Sequence, residues 1–285
     1  MKLAFSTLGV PGMPMSDVVA LATATGFQGV ELRAHPEEPV HPGIGAAERA
    51  AVVATFAAAG IEILTVAGYA KAAAPGDDGP VLEEIRGLLE LARDLGAPYV
   101  RVFPGAGASA DGNSADGSTD GSNRSDSSSD SPTDGSEDGD ARAARRLGAA
   151  AETADDYGVR ILLETHDSHR TGVDAARVVA AVGHKNVGAL WDVMHTWLGG
   201  ETPVTSHGVL APHLGYAQVK DIASAEDTTP LALGAGVLPL AECLSLLSPD
   251  DWVCWEYEKR WYPQAAELPH LLAAGREHLA LLTSP

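Results

Sequence analysis

Eight short apolar runs punctuate the chain at roughly even spacing, and this constrains the fold more than any other feature. They are LAFSTLG (3–9), GVELRA (29–34), EILTVAG (62–68), YVRVFPG (99–105), VRILLETH (159–166), VGALWDV (187–193), GYAQVKD (215–221) and WVCWEYE (252–258). Ala-rich amphipathic stretches lie between most of them, at 16–25, 46–59, 80–95, 141–157, 174–182, 239–247 and 265–282. Several of these stretches stop at a glycine suited to a left-handed C-cap, namely Gly26, Gly60, Gly96, Gly158 and Gly183. Strands that alternate with helices must pair in parallel, with helices covering the sheet.

One stretch does not fit this pattern. Residues 106–140 hold eight Asp, one Glu and one Arg, with no Val, Ile, Leu or aromatic residue. Such a segment buries too little apolar surface to offset its ordering entropy, so a disordered acidic loop is expected, inserted after the fourth strand. Without it 250 residues remain, close to the ~250 of a (β/α)8 barrel. The expectation is therefore an α/β fold, a single-domain TIM barrel over 1–285 carrying that insertion. A doubly wound open sheet is the alternative, but no Gly-rich phosphate fingerprint follows the first strand.

The net charge of −20 is only partly due to the insertion, because the rest of the chain still carries −12. Acidity outside the loop suggests a high-salt cytosol and speaks against a nucleic-acid backbone as partner, although a halophilic setting weakens the second point. No run reaches the ~18–20 apolar residues of a membrane span. The first residues, MKLAFSTLGVPG, do not read as a secretory signal, and Cys243 and Cys254 are the only cysteines. A cytoplasmic protein without a membrane partner, monomeric or a homo-oligomer, is the expectation.

The stretch ALWDVMHTW (189–197) points to chemistry. A buried apolar run ends on Asp192, with His195 three residues on, and a buried carboxylate is costly without a partner. Glu164, Gln218 and Glu256 stand at the ends of the fifth, seventh and eighth runs in the same way. Two residues earlier, Leu162, Leu190, Tyr216 and Cys254 share their inward parity and should fill the barrel below. Three carboxylates converging at the C-terminal mouth would repel one another unless a cation sat among them. Oxygen donors of this kind suit one hard or borderline divalent ion, Mn²⁺ first, with Mg²⁺ or Co²⁺ as alternatives. The bland alternative is that each acid caps a helix or pairs with its own Arg or Lys.

Other residues near the mouth are open to two readings. His166 and Lys220 keep the inward parity, and either could meet substrate; Lys220 could equally form a salt bridge with a site carboxylate. His169, His207 and His213 read as solvated loop residues. Trp197 and Trp261 would cover a ligand or pack the rim. Glu31 and Arg33 end the second run and Lys71 follows the third, all without an assigned role, and Cys254 reads as core filler.

The motifs LLETH (162–166), WDVMH (191–195), AQVKD (217–221) and CWEYE (254–258) resemble the sugar phosphate isomerase/epimerase superfamily of xylose-isomerase-like TIM barrels. The resemblance covers the chain apart from the acidic stretch. It implies a single metal held by Glu164, Asp192, Gln218 and Glu256. The third ligand is His in the tagatose and psicose epimerases, whereas Gln218 is similar to hydroxypyruvate isomerase. It implies a substrate-contacting role for His195. Arg170 stands where the epimerases place a substrate-binding Glu, and an Arg there suits a carboxylate or phosphate. The activity implied is isomerisation or epimerisation of a small sugar or keto-acid through an ene-diolate, with Glu164 and Glu256 moving the proton. A dehydratase of inosose or dehydroshikimate type would use the same site. An endonuclease IV-like nuclease needs further His ligands, which GVELRA and EILTVAG lack, and a non-catalytic barrel is the remaining alternative.

Overall fold

The computed structural model describes residues 1–107 and 138–283. Eight strands close into one parallel barrel in sequence order: β1 (Lys2–Ser6), β2 (Gly29–Arg33), β3 (Glu62–Lys71), β4 (Tyr99–Phe103), β5 (Arg160–Glu164), β6 (Val187–Asp192), β7 (Leu214–Val219) and β8 (Trp252–Trp255). The helices are α1 (Met15–Thr25), α2 (Ala46–Ala59), α3 (Asp78–Leu95), α4 (Gly139–Tyr157), α5 (Gly172–Val182), α6 (Val193–Leu198), α7 (Pro203–Leu210), α8 (Leu240–Leu246) and α9 (Leu272–Leu282). The TIM-barrel expectation holds and the open sheet does not, because β8 pairs with β1. Strand runs are largely apolar because a barrel strand is buried on both faces, with Glu31, Arg33 and Arg101 as buried charged exceptions.

Two apolar cores follow from this arrangement. The barrel interior contains Ala4, Leu64, Leu162, Leu190, Tyr216, Trp252 and Cys254, so the four residues assigned inward by parity do lie there. The larger core fills the space between sheet and helices, with Phe5, Phe27, Trp191 and Trp255 among its members. All five predicted capping glycines adopt the left-handed conformation, at φ between 63° and 78°. Short α6 and α7 went unread in the sequence. The first starts directly at the end of β6, with no intervening loop; the second is capped by Thr202, whose Oγ1 accepts from the Thr205 amide at 3.2 Å.

Both ends of the acidic stretch 106–140 belong to the barrel, where a loop was expected over its whole length. Asp138 already caps α4, Gly139 and Asp140 lie in it, and residues 108–137 fall outside the described part of the chain. Both flanks are fastened at one place. The Ala106 amide donates to Ser168 Oγ at 3.0 Å, Ser168 Oγ meets His169 Nδ1 at 2.9 Å, and His169 Nε2 meets Asp140 Oδ1 at 2.8 Å. Arg177 also pairs with Asp140. A Cβ on Gly139 would sit 3.0 Å from that of Ala106, so the chain leaves and re-enters the barrel at nearly the same point. His169 is thus buried at 3% exposure, contrary to its reading as solvated, because it is part of this staple.

Candidate active site at the barrel mouth

The barrel's shear brings the four predicted ligands together. Asp192 lies opposite Gln218, whereas Glu164 is level with Leu190 and Gln218 with Cys254. Glu164 and Asp192 are the last residues of their strands. Gln218 is one residue short of the end of β7, and Glu256 lies one residue past β8 rather than at its end. The Glu256 amide nonetheless continues the ladder, donating to Val219 O at 3.0 Å. Carboxylate oxygens of Glu164, Asp192 and Glu256 all lie within 4.8 Å of one another, and all three residues are buried.

Asp192 has two partners of its own. Its Oδ1 accepts from the amides of Met194 at 2.8 Å and His195 at 3.3 Å, so it is the N-cap of α6. Its Oδ2 lies 2.7 Å from Lys220 Nζ. Lys220, 1% exposed, also pairs with Glu256 and with Glu258 Oε1, the latter at 2.7 Å. The salt-bridge reading of Lys220 is therefore realised. Across the site, Arg101 Nη1 on β4 lies 3.2 Å from Glu164 Oε2, and its guanidinium carbon sits 3.9 Å from the centre of the Phe103 ring. The bland alternative, acids paired with basic side chains and a helix terminus, thus accounts for part of the cluster.

Charge and unmet hydrogen bonding indicate that a further cation fits. Glu31, Glu164, Asp192, Glu256 and Glu258 are five carboxylates, and the cations Lys220 and Arg101 are set against them. Glu164 Oε2, Asp192 Oδ2 and Gln218 Oε1 are buried acceptors with no hydrogen-bond donor in good geometry. Buried acceptors left in this state are costly. An all-oxygen donor set in which carboxyl groups outnumber the basic side chains set against them fits a divalent ion such as Mn²⁺ or Mg²⁺. Glu164, His166 and His195 form a second group whose ligand atoms meet the same 4.8 Å limit, with Glu164 common to both.

The local fields differ sharply from residue to residue. Burial pushes the Glu164 carboxyl up to about 8, although Arg101 opposes the rise. Burial works against the Asp192 carboxylate too, but there Lys220 and His195 outweigh it and its pKa lies below the ordinary value. Burial would discharge Lys220, yet Asp192, Glu256 and Glu258 carry its pKa well above the usual lysine value. The two histidines are 4.1 Å apart between ring centres. Burial and the charge of His166 drive His195 well below the usual imidazole value, so it is neutral at pH 7. Burial also opposes protonation of His166, but Asp167 Oδ1, 2.7 Å from its Nδ1, raises it.

Arg170 does not reach this group. Half-buried, it packs its stem near Gly199 at the end of α6 and makes no ion pair among the described residues. His207 lies on α7, its ring tilted against Trp191 with centres 5.9 Å apart, instead of in a loop. Arg33 is committed to Glu38 at 2.6 Å and Tyr69 Oη at 2.7 Å. Sequence reasoning missed Arg101 and Glu258 and left Glu31 unassigned. For Arg101 and Glu31 the signal was a charged residue inside a strand that is apolar on both faces; Glu258 kept the parity of Glu256 two positions on.

The family model described as xylose isomerase-like TIM barrel matches residues 19–281. The chain belongs to that family. No curated protein matches it by sequence. Among solved structures it is similar to the probable 3-DHS dehydratase AsbF of Bacillus anthracis, at 19% identity and TM-score 0.74 over 98% of this chain and 99% of that one. It is similar to the IolI protein with a bound zinc atom, at 18% identity and TM-score 0.75 over 100% and 98%. It is also similar to D-psicose 3-epimerase from Clostridium cellulolyticum H10, at 15% identity and TM-score 0.78 over the full length of both chains. At such identities these likenesses describe the fold. The family's neighbours include epimerases and a dehydratase, and no described helix of this chain is long and apolar enough to cross a membrane.

Proposed function

We propose that the chain is a divalent-metal-dependent isomerase or epimerase of a small sugar or keto-acid, working through an ene-diolate of its substrate, with Mn²⁺ as the first choice of ion. The observation that carries this reading is the buried convergence of Glu164, Asp192 and Glu256 oxygens within 4.8 Å at the C-terminal end of the barrel. Gln218 Oε1 stands as a fourth acceptor without a donor. A bound ion would supply Lewis-acid polarisation of a carbonyl and its neighbouring hydroxyl.

The side chains divide the remaining work. Asp192, locked by the α6 amides and Lys220, and Gln218, held by two glutamates, are positioned as ligands. Glu164 and Glu256 approach from β5 and from beyond β8 and form the proton-transfer pair. Glu164 is buried at the mouth beside Arg101 and Glu256, where a carboxylate can take and return a substrate proton. His195, neutral and with Nε2 lacking a partner, can accept a proton from or donate one to a substrate oxygen. His166 and Lys220 are its cationic neighbours and favour an electron-rich substrate edge. Arg170 would act only on a substrate long enough to reach the far end of α6, near Gly199.

The paired histidines favour a dehydratase as second reading. His166, whose pKa Asp167 raises, stands beside a neutral His195, and such a pair can supply the acid that a departing hydroxyl needs after the same enolisation. Metal content of the purified protein comes first, followed by incubation in D₂O with ketoses, inososes and hydroxypyruvate. Metal-dependent deuterium incorporation without loss of mass is expected for the isomerase or epimerase, and loss of one water for the dehydratase. The two-carboxylate mechanism is wrong if Glu164→Gln and Glu256→Gln both retain near-native turnover at full metal occupancy.

A further inference from the structure

Glu31 on β2 takes no part in the ligand set, yet it is fully buried and lies against Gln218. Gln218 Nε2 donates to Glu31 Oε1 at 3.1 Å and Oε2 at 3.0 Å, and to Glu256 Oε1 at 3.2 Å. Glu31 is itself held in place: Tyr216, two residues before Gln218 on the same strand, donates its hydroxyl to Glu31 Oε2. The consequence lies at the other end of the amide. Gln218 Oε1 is left buried with no donor, whereas Glu164 Oε2 and Asp192 Oδ2 are each paired with a basic side chain.

An amide has one donor end and one acceptor end, and only the acceptor can ligate a hard cation. Even where packing holds a glutamine side chain still, its amide keeps two orientations of nearly the same shape, related by a flip. Turning Gln218 over would set its oxygen against carboxylate oxygens about 3 Å away, a repulsion that the low-dielectric interior strengthens. We propose that Glu31 is a positioning residue, which fixes the amide of Gln218 with Oε1 presented as a metal ligand and Nε2 turned away. The inference rests on the metal reading of the site and extends it to a residue beyond the four ligands. It also explains how a residue with two interchangeable ends can serve as a ligand here: Tyr216 holds Glu31, and Glu31 orients Gln218. Outer carboxylates that orient a ligand commonly govern affinity at the level of ~10–100-fold.

The test is Mn²⁺ binding by calorimetry to the metal-free full-length protein, with melting of each metal-free variant measured alongside. Glu31→Gln is expected to bind Mn²⁺ about 10–100-fold more weakly, because the amide it introduces can offer an N–H to Gln218 Oε1 and stabilise the flipped orientation. Removing a negative charge would also weaken binding, so the decisive comparison is made in a Gln218→Glu background. The carboxylate introduced there has two equivalent oxygens and no amide to orient, and the new amide of Glu31→Gln can donate to it. In that background Glu31→Gln should cost nothing or improve binding. The same fold-loss in both backgrounds would mean simple charge removal and overturn the proposal, as would Glu31→Gln binding within about threefold of wild type. Tyr216→Phe keeps every charge and serves if Glu31→Gln fails to fold; a loss of threefold or more is expected, and unchanged affinity overturns the proposal. Wild-type protein that binds no Mn²⁺ brings down the metal reading itself, an outcome distinct from a wild type that binds and variants that bind equally well.

Discussion

Removing the Lys220 ammonium should reveal how much uncompensated charge the barrel mouth holds. Lys220→Met keeps a long unbranched side chain in a site that is 1% exposed, so little cavity is created and the change is chiefly electrostatic. The ammonium lies 2.7 Å from Asp192 Oδ2 and 2.7 Å from Glu258 Oε1, and it pairs with Glu256 as well. At an effective dielectric near 20, one such contact is worth about 6 kcal/mol of attraction, most of which the cost of burying both charges offsets. Deleting one partner is different, because the carboxylates stay buried without it, at a cost of about 3–5 kcal/mol. For a chain of this size that corresponds to a melting temperature lower by roughly 10 °C. The pH dependence follows from the sign of the shift. A lysine whose folded pKa is raised stabilises fully below its unfolded value of about 10.4 and loses that contribution only as pH climbs through the higher folded value. Alkalinity below pH 9 should therefore not diminish the deficit. The assay is thermal unfolding of metal-free wild type and Lys220→Met at pH 8, repeated with saturating Mn²⁺. The ion would share Asp192 and Glu256 and replace part of the missing charge, so the gap should narrow by at least half. A loss under about 3 °C without metal, or an equal loss with and without it, would refute the account.

Asp192→Ala should lose Mn²⁺ before anything else and activity with it, whereas Glu164→Gln and Glu256→Gln should retain some metal while losing at least ~10²-fold in turnover; metal occupancy measured beside turnover separates the classes. Gln218→His should be mild in turnover, because imidazole also ligates Mn²⁺ and can donate its second N–H to Glu31. Replacing residues 108–137 by a short Gly-Ser linker should shift melting in molar salt by no more than a few degrees, since the flanks meet at Ala106 and Gly139 and long loops cost little more to close than short ones. Asp140 is held below the usual carboxylate value by Arg177 and His169; such a group stabilises above its unfolded pKa of about 3.9 and loses this as pH falls through the lower folded value. The melting difference between wild type and Asp140→Asn should therefore be steady from pH 8 to 5 and shrink below about 4.

Much of this protein was legible in one dimension because the signals involved are local. Parallel strands buried on both faces read as unbroken apolar runs, and helices between them end where glycine alone adopts a left-handed turn without strain. Barrel closure was readable by count and length, since eight such units occupy about 250 residues. The ligand candidates were legible for a related reason: a polar side chain ending a doubly buried strand has only the mouth to point into. The tertiary structure decided how those groups are shared out. Lys220 and Glu258 meet from the ends of β7 and β8, Arg101 reaches Glu164 from β4, and Glu31 meets Gln218 from across the barrel; none of these pairs is close in sequence. Helix α6 was invisible because its stabilising cap, Asp192, is also a candidate ligand, so one residue carried two messages. His169 read as surface because its partner Asp140 stands 29 residues earlier, at the end of the acidic stretch, and reaches it only where the two flanks meet. Periodicity records which face of an element is buried, whereas the shear of the barrel sets which buried charges face each other, and that depends on the closed sheet as a whole.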